Sequence, residues 1–341
     1  MSIIDYNCNL ILQKIDFSQL VNKKILITGA TGLIGIHLAR SILKLNQNNS
    51  LVCICRNKPQ PYLFDLINNI NTTIIDEDIN YLFEDYEFVT KYLHQFDYII
   101  HAAGYGQPIK FADRKLQTIA LNTEVTKKLF SLLKLDGTFL FCSTSEIYSG
   151  LDKEEITENN VGVTLPSNPR ACYIESKKCG ETICNIMKQD FSVNTKIARI
   201  SYTYGPGSGV DDTRALNSFI LRCMREPQNS PLILMDSGSS IRTFGYISDV
   251  CSMLFNILLH SKDITYNVSG NSKISIKDLA QKISNHFDKS IQISTDETTL
   301  LGNPKIINIS TEKYDSEFGK TEYLGLDNGL KNTIEWYKEI I

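Results

Sequence analysis

The chain has 341 residues, 42% of them hydrophobic and 21% charged, enough to bury a sizeable core in one large domain or two fused ones. A formal charge of −3, a pI near 6.0 and the lack of any lysine and arginine cluster exclude a phosphate-tracking surface, so nucleic acid is not an expected partner. No run of about 18 apolar residues occurs, and the opening MSIIDYNCNLILQKIDF carries acids where a secretory signal has an apolar core behind basic residues, so a cytoplasmic protein without a membrane partner is expected.

Residues 1–21 read as an added amphipathic helix, with Ile4, Leu10, Leu12 and Ile15 available for docking. From residue 23 short apolar runs alternate with amphipathic stretches: KKILITG, a helix near 33–46, LVCIC, a helix near 60–70, NTTIID and a helix near 82–94. FDYIIHAAG, a helix near 113–135, GTFLFCSTS, a helix near 170–189 and TKIARIS continue the series. Continuously apolar strands separated by helices predict a parallel sheet buried on both faces. Beyond residue 200 the pattern loosens: YGPGSGVDD reads as a loop, 213–226 as a helix, and the remainder as a smaller lobe built partly from insertions. The nine cysteines are scattered, and the close pairs Cys53 with Cys55 and Cys179 with Cys184 lack CxxC spacing or histidine partners. No metal is therefore expected, and most cysteines read as small buried apolar residues.

The first strand runs into ITGATGLIGIHLA, with Gly29, Gly32 and Gly35 three apart and Thr31, Leu33 and Ile34 between them. A first glycine turns the chain sharply, a second lets backbone approach a pyrophosphate, and a third permits close helix-to-sheet packing. The helix that follows offers unsatisfied N–H groups and a positive dipole end to the phosphates. The spacing is GxxGxxG, and a plain glycine-rich turn is the alternative; its position at the first βα unit favours a dinucleotide site. After the second strand, LVCICRN puts Arg56 where an acid that holds the ribose 2′-OH of NAD is expected. Arginine pairs with a 2′-phosphate, so NAD and NADP both stand. Asp78 and Ile79 in IIDEDIN are candidates to flank the adenine, a solvated turn being the alternative.

ACYIESKKCG holds Tyr173 and Lys177 four apart, on one helix face within mutual reach. A lysine ammonium and an oxidised nicotinamide nearby would both lower the tyrosine pKa, giving a phenolate base near neutral pH. The alternative is a surface helix pair. Against it stands CSTSEIYSG, which follows the strand GTFLF and sets Thr144, Ser145 and Glu146 at the carboxyl end of the sheet, where open α/β sheets bind ligands.

With these stretches in hand, GATGLIG, HAAG at 101–104, Asn122 in LNT, STSEIY, YxxxK and YGP at 204–206 come in the order found in the extended short-chain dehydrogenase/reductase family, whose members modify nucleotide-diphosphate sugars. The chain resembles that family from about residue 23 to 290. STSEIY, NPRACYIESKKCGET and GSSIRTFGYISD are most similar to segments of UDP-glucuronate decarboxylases. The TSE tripeptide also resembles GDP-mannose 4,6-dehydratases, while Ser145 argues against the dTDP-glucose dehydratases, many of which have TDE.

The resemblance implies a Rossmann-type, doubly wound α/β fold with a smaller C-terminal α/β substrate lobe. It divides the chain into a helical extension at 1–21, a dinucleotide unit at 22–200 with part of 240–262, and a lobe over 201–341. It implies a nucleotide-diphosphate sugar as substrate and NAD, with NADP open because of Arg56, as cofactor. Ala102, Ala103 and Asn122 would join the glycine turn in holding it, Asn122 beside Lys177. Tyr173, relayed by Thr144, would take the sugar C4 hydroxyl proton as hydride leaves C4, and Lys177 would hold the cofactor ribose. With a C6 carboxylate the oxidised sugar loses CO2; with a C6 hydroxyl Glu146 would take the C5 proton and water would leave. Ser145, Glu146, Tyr202 and Arg242 are the substrate candidates. Arg242 matches an arginine near the sugar and phosphates in decarboxylases, a salt-bridged surface arginine being the alternative; for Glu146 the alternative is a capping carboxylate. Tyr246 and Asp249 in YISD read as structural residues at the lobe interface.

Three departures fall in the substrate pocket: Tyr202 stands for the family's asparagine in RxxNxYGP, Gly207 for an arginine, and Ser218 for an asparagine. They leave the sugar nucleotide open, with a 4,6-dehydratase, a C4 epimerase, a C4 dehydrogenase and a non-catalytic cofactor-sensing module as further readings. The family also pairs through the helices near 113–135 and 170–189, which implies a homodimer.

Overall fold

Runs such as ILIT at 25–28 and FLFC at 139–142 are what a sheet covered on both faces requires, and the computed structural model places them so; it describes residues 2–56, 65, 67–151, 153–294 and 308–341. The strands are β1 (Lys24–Thr28), β2 (Ser50–Cys55), β3 (Thr72–Asp76), β4 (Phe96–His101), β5 (Leu133–Thr144), β6 (Asn194–Ile200), β7 (Tyr202–Tyr204), β8 (Leu232–Leu234), β9 (Ile241–Tyr246), β10 (Thr265–Val268), β11 (Ser272–Ser275) and β12 (Ile291–Ile293). Seven of them form one sheet in the order β10-β6-β5-β4-β1-β2-β3, every neighbouring pair parallel. The order reverses between β1 and β4, and there the carboxyl ends of a doubly wound sheet leave a crevice. The expected α/β class is thus observed. The sheet's last strand, β10, comes from beyond residue 262.

The helices are α1 (Ile3–Lys14), α2 (Leu33–Lys44), α3 (Ile79–Leu82), α4 (Tyr86–Tyr92), α5 (Pro108–Asp113), α6 (Lys115–Asn122), α7 (Glu124–Leu129), α8 (Ala171–Phe191), α9 (Ala215–Arg225), α10 (Ile247–His260), α11 (Ile276–Asn285), α12 (Glu312–Phe318) and α13 (Leu326–Ile340). Two long helices expected from periodicity are broken. The 82–94 stretch restarts at Asp85, whose carboxylate accepts the Glu87 N–H at 2.9 Å as an N-cap. The 113–135 stretch is interrupted at Arg114 (φ −125°, ψ 51°) and Thr123 (φ −118°, ψ −77°), and β5 begins at Leu133. Most of the helix expected near 60–70 lies outside the described residues.

The smaller lobe carries β7 parallel and β11 antiparallel to β9, with β8 and β12 parallel beside it. The N-terminal helix packs on α2 and α10. It buries Ile4, Asn7, Cys8 and Ile11, an i, i+3, i+4, i+7 stripe, while Leu12 and Ile15 lie half-buried against the core and Leu10 sits off the stripe. Asp249 pairs with Lys14 at 3.1 Å and accepts the Leu324 N–H at 3.0 Å, so α10 ties the extension to the C-terminal segment. Seven of the nine cysteines are buried.

Candidate active site

Three strand ends converge where the sheet order reverses. After β1, Gly29 has φ +70°, and a Cβ there would stand 2.7 Å from the Ala103 Cα. Gly35 sits against the Gly29 carbonyl and the Ala30 Cα, whereas a Cβ on Gly32 would meet only the Gly29 oxygen at 3.3 Å. The first and third glycines thus pack the turn against the strand and the second faces outward. Gly32 is the N-cap of α2 and no side chain caps that helix, so the first-turn N–H groups at Leu33, Ile34 and Gly35 have no intrahelical acceptor. Thr31 hydrogen-bonds Cys55 at the end of β2.

Ala102 and Ala103 follow β4 and are fixed by a buried relay. The Ala103 N–H donates to Thr28 Oγ1 at 3.1 Å, Thr28 lies 2.7 Å from His101 Nδ1, and His101 Nε2 lies 3.2 Å from the Leu121 carbonyl. Only one proton arrangement serves all three: Thr28 donates to Nδ1 and Nε2–H donates to the carbonyl. Burial and the nearby Lys177 ammonium hold His101 neutral, its pKa pulled down to about 3.

After β5, Thr144 Oγ1 accepts the Glu146 N–H at 3.2 Å and lies close enough to the Tyr173 phenol to lower its pKa. Two residues back on β5, the Cys142 carbonyl accepts from Lys177 Nζ at 2.7 Å, and that ammonium lies 4.6 Å over the Phe141 ring. The pair on α8 is therefore gathered at one strand end beside the glycine turn. Burial lowers the Lys177 pKa to about 8. Tyr173 is stacked on Phe111 at 5.0 Å and 6°. Burial pushes its phenol above the ordinary tyrosine range, and Glu146 adds to the rise; the Thr144 hydroxyl and the Arg170 and Arg214 guanidiniums oppose it. The phenol is thus protonated at neutral pH, and Arg170 and Arg214 are the cations that most oppose the rise.

Ser145 is buried at 2% exposure. The Glu146 carboxylate is gripped by both arms of Arg170, three residues before Tyr173. Tyr202 opens β7, with the Arg242 guanidinium 5.8 Å over its ring and close enough to its phenol to lower its pKa. Burial and Glu146 raise the Tyr202 pKa, which puts Glu146, Arg170, Tyr202 and Arg242 in one charged cluster next to Tyr173. Arg242 is buried, its Nη1 donating to the Ile241 carbonyl at 2.8 Å.

Asn122 closes the site from α6. Its amide donates to Ser176 Oγ at 2.9 Å, while its buried Oδ1 finds no partner among the described residues. An orphaned acceptor beside a buried lysine with spare donors, an uncapped helix start and a glycine cradle together fit a dinucleotide. The outer candidates are more dispersed. Arg56 is exposed at the end of β2 with its guanidinium 4.7 Å over the Tyr105 ring. Asp78 caps α3 through the Asn80 N–H at 3.0 Å, and Ile79 is packed in the core. Sequence reasoning missed Arg170 and Phe111; one turn of helix separates Arg170 from Tyr173, and that spacing was the available signal.

UDP-glucuronic acid decarboxylase 1 of Danio rerio is 28% identical over 320 residues, spanning 92% of this chain and 72% of that protein. UDP-glucuronic acid decarboxylase 6 of Arabidopsis thaliana is 28% identical over 280 residues, spanning 82% and 78%. The crystal structure of UDP-glucuronic acid 4-epimerase from Bacillus cereus in complex with UDP-glucuronic acid and NAD superimposes with a TM-score of 0.77 at 25% identity, covering 93% of this chain and all of that one. Residues 25–269 match the family described as NAD dependent epimerase/dehydratase, and the chain belongs to that family.

Proposed function

We propose that this protein is an NAD-dependent enzyme that acts at C4 of a nucleotide-diphosphate sugar, with UDP-glucuronate as substrate and decarboxylation as outcome. The observation that carries the reading is the Tyr173 phenol close to the Thr144 hydroxyl, beside buried Lys177, at the strand ends next to the glycine turn. Gly29, Thr31, Gly32, Leu33, Ile34, Gly35, Ala102, Ala103, Asn122 and Lys177 would hold the cofactor, Lys177 and Asn122 at a ribose, with Arg56, Asp78 and Ile79 toward the adenine. Bound NAD supplies the hydride acceptor, and later the donor, for the sugar.

Tyr173 handles the proton on the C4 oxygen, with Thr144 Oγ1 fixing the phenol and bridging it toward the hydroxyl. Because burial keeps the phenol protonated, it is ready to donate; its turn as base requires positive charge brought close by ligands. A ketone at C4 places the C6 carboxylate β to a carbonyl. The C5–C6 bond then breaks with release of CO2, its electron pair delocalises onto the C4 oxygen, and C5 takes a proton. Arg170 is set for this substrate: a bidentate guanidinium already holding the Glu146 carboxylate is one a sugar carboxylate can engage by exchange. Ser145, Tyr202 and Arg242 would line the same side.

Both kinds of relative named above carry UDP-glucuronic acid in their names, which supports the substrate class. The 4-epimerase likeness favours one second reading, inversion at C4 without bond loss. Purified protein incubated with NAD and UDP-glucuronate, followed by mass spectrometry, separates the two: loss of carbon dioxide supports decarboxylation, an isomer of unchanged mass supports epimerisation, and no turnover refutes the substrate. We further propose a cytoplasmic homodimer joined through α6 and α8, which expose Leu116, Ile119 and Ile186; a monomeric mass by light scattering would refute the pairing. The dinucleotide unit is taken as 22–200 with the α10 segment, and the substrate lobe as most of 201–341.

A further inference from the structure

The N-terminal helix lies outside the sheet and supplies no group to the strand-end site. Its one fully buried polar side chain is nevertheless wired to that site's glycine turn. Asn7 is 0% exposed; its amide lies 3.3 Å from His37 Nε2, and its Oδ1 accepts from the Tyr246 hydroxyl at 2.9 Å. His37 Nδ1 lies 2.9 Å from the Leu33 carbonyl, and Asn332 donates to the Tyr246 oxygen at 3.1 Å. The proton order follows: His37 donates from Nδ1, so Nε2 is an acceptor and the Asn7 amide is its donor. Burial holds the ring neutral, with a pKa near 4, as this order needs.

Leu33 is the first residue of α2, so the chain Asn332–Tyr246–Asn7–His37–Leu33 ends on the turn whose free N–H groups face outward. Asp5 adds ion pairs to Arg40 and Lys44 at 2.8 and 3.3 Å along the same helix. We propose that Asn7 is a positioning residue for the dinucleotide site: acting through His37, it fixes the orientation of the first turn of α2 and so the affinity for the cofactor. The proposal rests on the reading that NAD binds at this turn. A buried asparagine bridging two other side chains aligns them both, whereas an apolar residue of equal size leaves a ring nitrogen without a donor and a hydroxyl proton without its acceptor.

The test is calorimetric titration of NAD into the full chain and into Asn7→Leu, Tyr246→Phe and Lys14→Met, with unfolding midpoints and amide exchange of residues 33–36 measured alongside. Lys14→Met loosens α1 at its far end, where Lys14 meets Asp249 and the Glu322 carbonyl. Asn7→Leu is expected to raise the NAD Kd about tenfold and to speed exchange at 33–36, Tyr246→Phe to do so less, and Lys14→Met to lower the midpoint with Kd unchanged. Asn7→Leu binding NAD as tightly as the wild type overturns the proposal, as does an equal rise in Lys14→Met, which would mean general loosening. If Asn7→Leu fails to fold, Tyr246→Phe decides, and an unchanged Kd in it overturns the proposal. A wild-type chain that binds no NAD brings down the cofactor reading and this proposal with it, whereas failure of the variants alone leaves the cofactor reading standing.

Discussion

Replacing each glycine of the GxxGxxG turn by alanine should separate packing from ligand approach. At Gly29 the new Cβ would lie 2.7 Å from the Ala103 Cα and 2.8 Å from its nitrogen, on a backbone with φ +70°. Backbone atoms cannot swing aside, so strain of about 1–3 kcal/mol adds to overpacking of about 1–3 kcal/mol. At Gly35 the Cβ would press on the Gly29 carbonyl and stand 2.7 Å from the Ala30 Cα, forcing α2 off β1. A cost of about 1–3 kcal/mol is expected there, eased by the better helix propensity of alanine. Gly32 has φ −74° and ψ 167°, open to alanine, with a single contact at 3.3 Å, and its stability should move by no more than about 1 kcal/mol. Urea unfolding of the three variants therefore ranks Gly29→Ala and Gly35→Ala well below Gly32→Ala. A calorimetric NAD titration should show at least about tenfold weaker binding for Gly32→Ala despite its intact fold, because the proposed site places the pyrophosphate against this outward face of the turn. Gly32→Ala with wild-type affinity, or Gly35→Ala with wild-type stability, would refute the assignment.

His37 and His101 are neutral in the fold, with pKa values of about 4 and about 3 against 6.5 when free. The unfolded chain takes up their protons first, so stability is full above pH 6.5 and falls with pH below it, with a slope approaching about 3 kcal/mol per unit between 6.5 and 4; urea titrations across that window measure it, and a flat profile would refute the buried neutral rings. Lys177 holds its proton only to about 8 against 10.5 when free, so stability rises as pH climbs from 8 to 10.5 and the charged form costs about 3 kcal/mol at neutral pH. Lys177→Met should accordingly raise the unfolding midpoint while abolishing turnover, and a lowered midpoint would contradict this. Tyr173→Phe should cut turnover at least about 100-fold with NAD affinity nearly unchanged, as initial rates and calorimetry will show.

The strand-and-helix alternation was legible because a parallel sheet leaves an unbroken apolar signature, and ILIT, LVCIC and FLFC all became interior strands. The breaks at Arg114 and Thr123 were not, since apolar periodicity runs across them. Side chains are bonded around them: the Thr118 and Thr123 hydroxyls donate to the Arg114 and Ile119 carbonyls at 2.8 Å, and Asn122 donates to Ser176. On α1 a stripe chosen from apolar residues alone selected Leu10 and passed over Asn7, because a buried asparagine looks like a surface residue until its partners, 30 and 239 positions away, are folded against it. Glu146 with Arg170 has the same character: a pair 24 residues apart has no period to betray it. The tyrosine and lysine were found from spacing, but their electrostatics were not, since burial outweighs any neighbour and only the fold sets burial.

The face of α8 that carries Tyr173 and Lys177 continues one turn further to Glu181, and all three are read by consecutive residues of β5. Cys142 offers its carbonyl to Lys177, Ser143 donates to Glu181 at 2.5 Å, and the Thr144 hydroxyl lies near the Tyr173 phenol. Glu181 is in turn bound by Arg199 at 2.8 Å, and Arg199 donates to the Tyr148 hydroxyl at 3.0 Å and the Glu158 carbonyl at 2.7 Å. Replacing such a buried pair with apolar residues is often neutral or stabilising, and burial disfavours the Lys177 charge, so folding energy is weak grounds for keeping these charges. Their arrangement does have a positional consequence. Helix α8 is pinned to the strand end at two successive turns, Lys177 and Glu181, by directional bonds, so neither sliding nor rolling of the helix can move Tyr173 without breaking them. A phenol that must meet one hydroxyl proton needs placement within a few tenths of an ångström, and a registered row of polar bonds supplies that where apolar packing, being non-directional, does not.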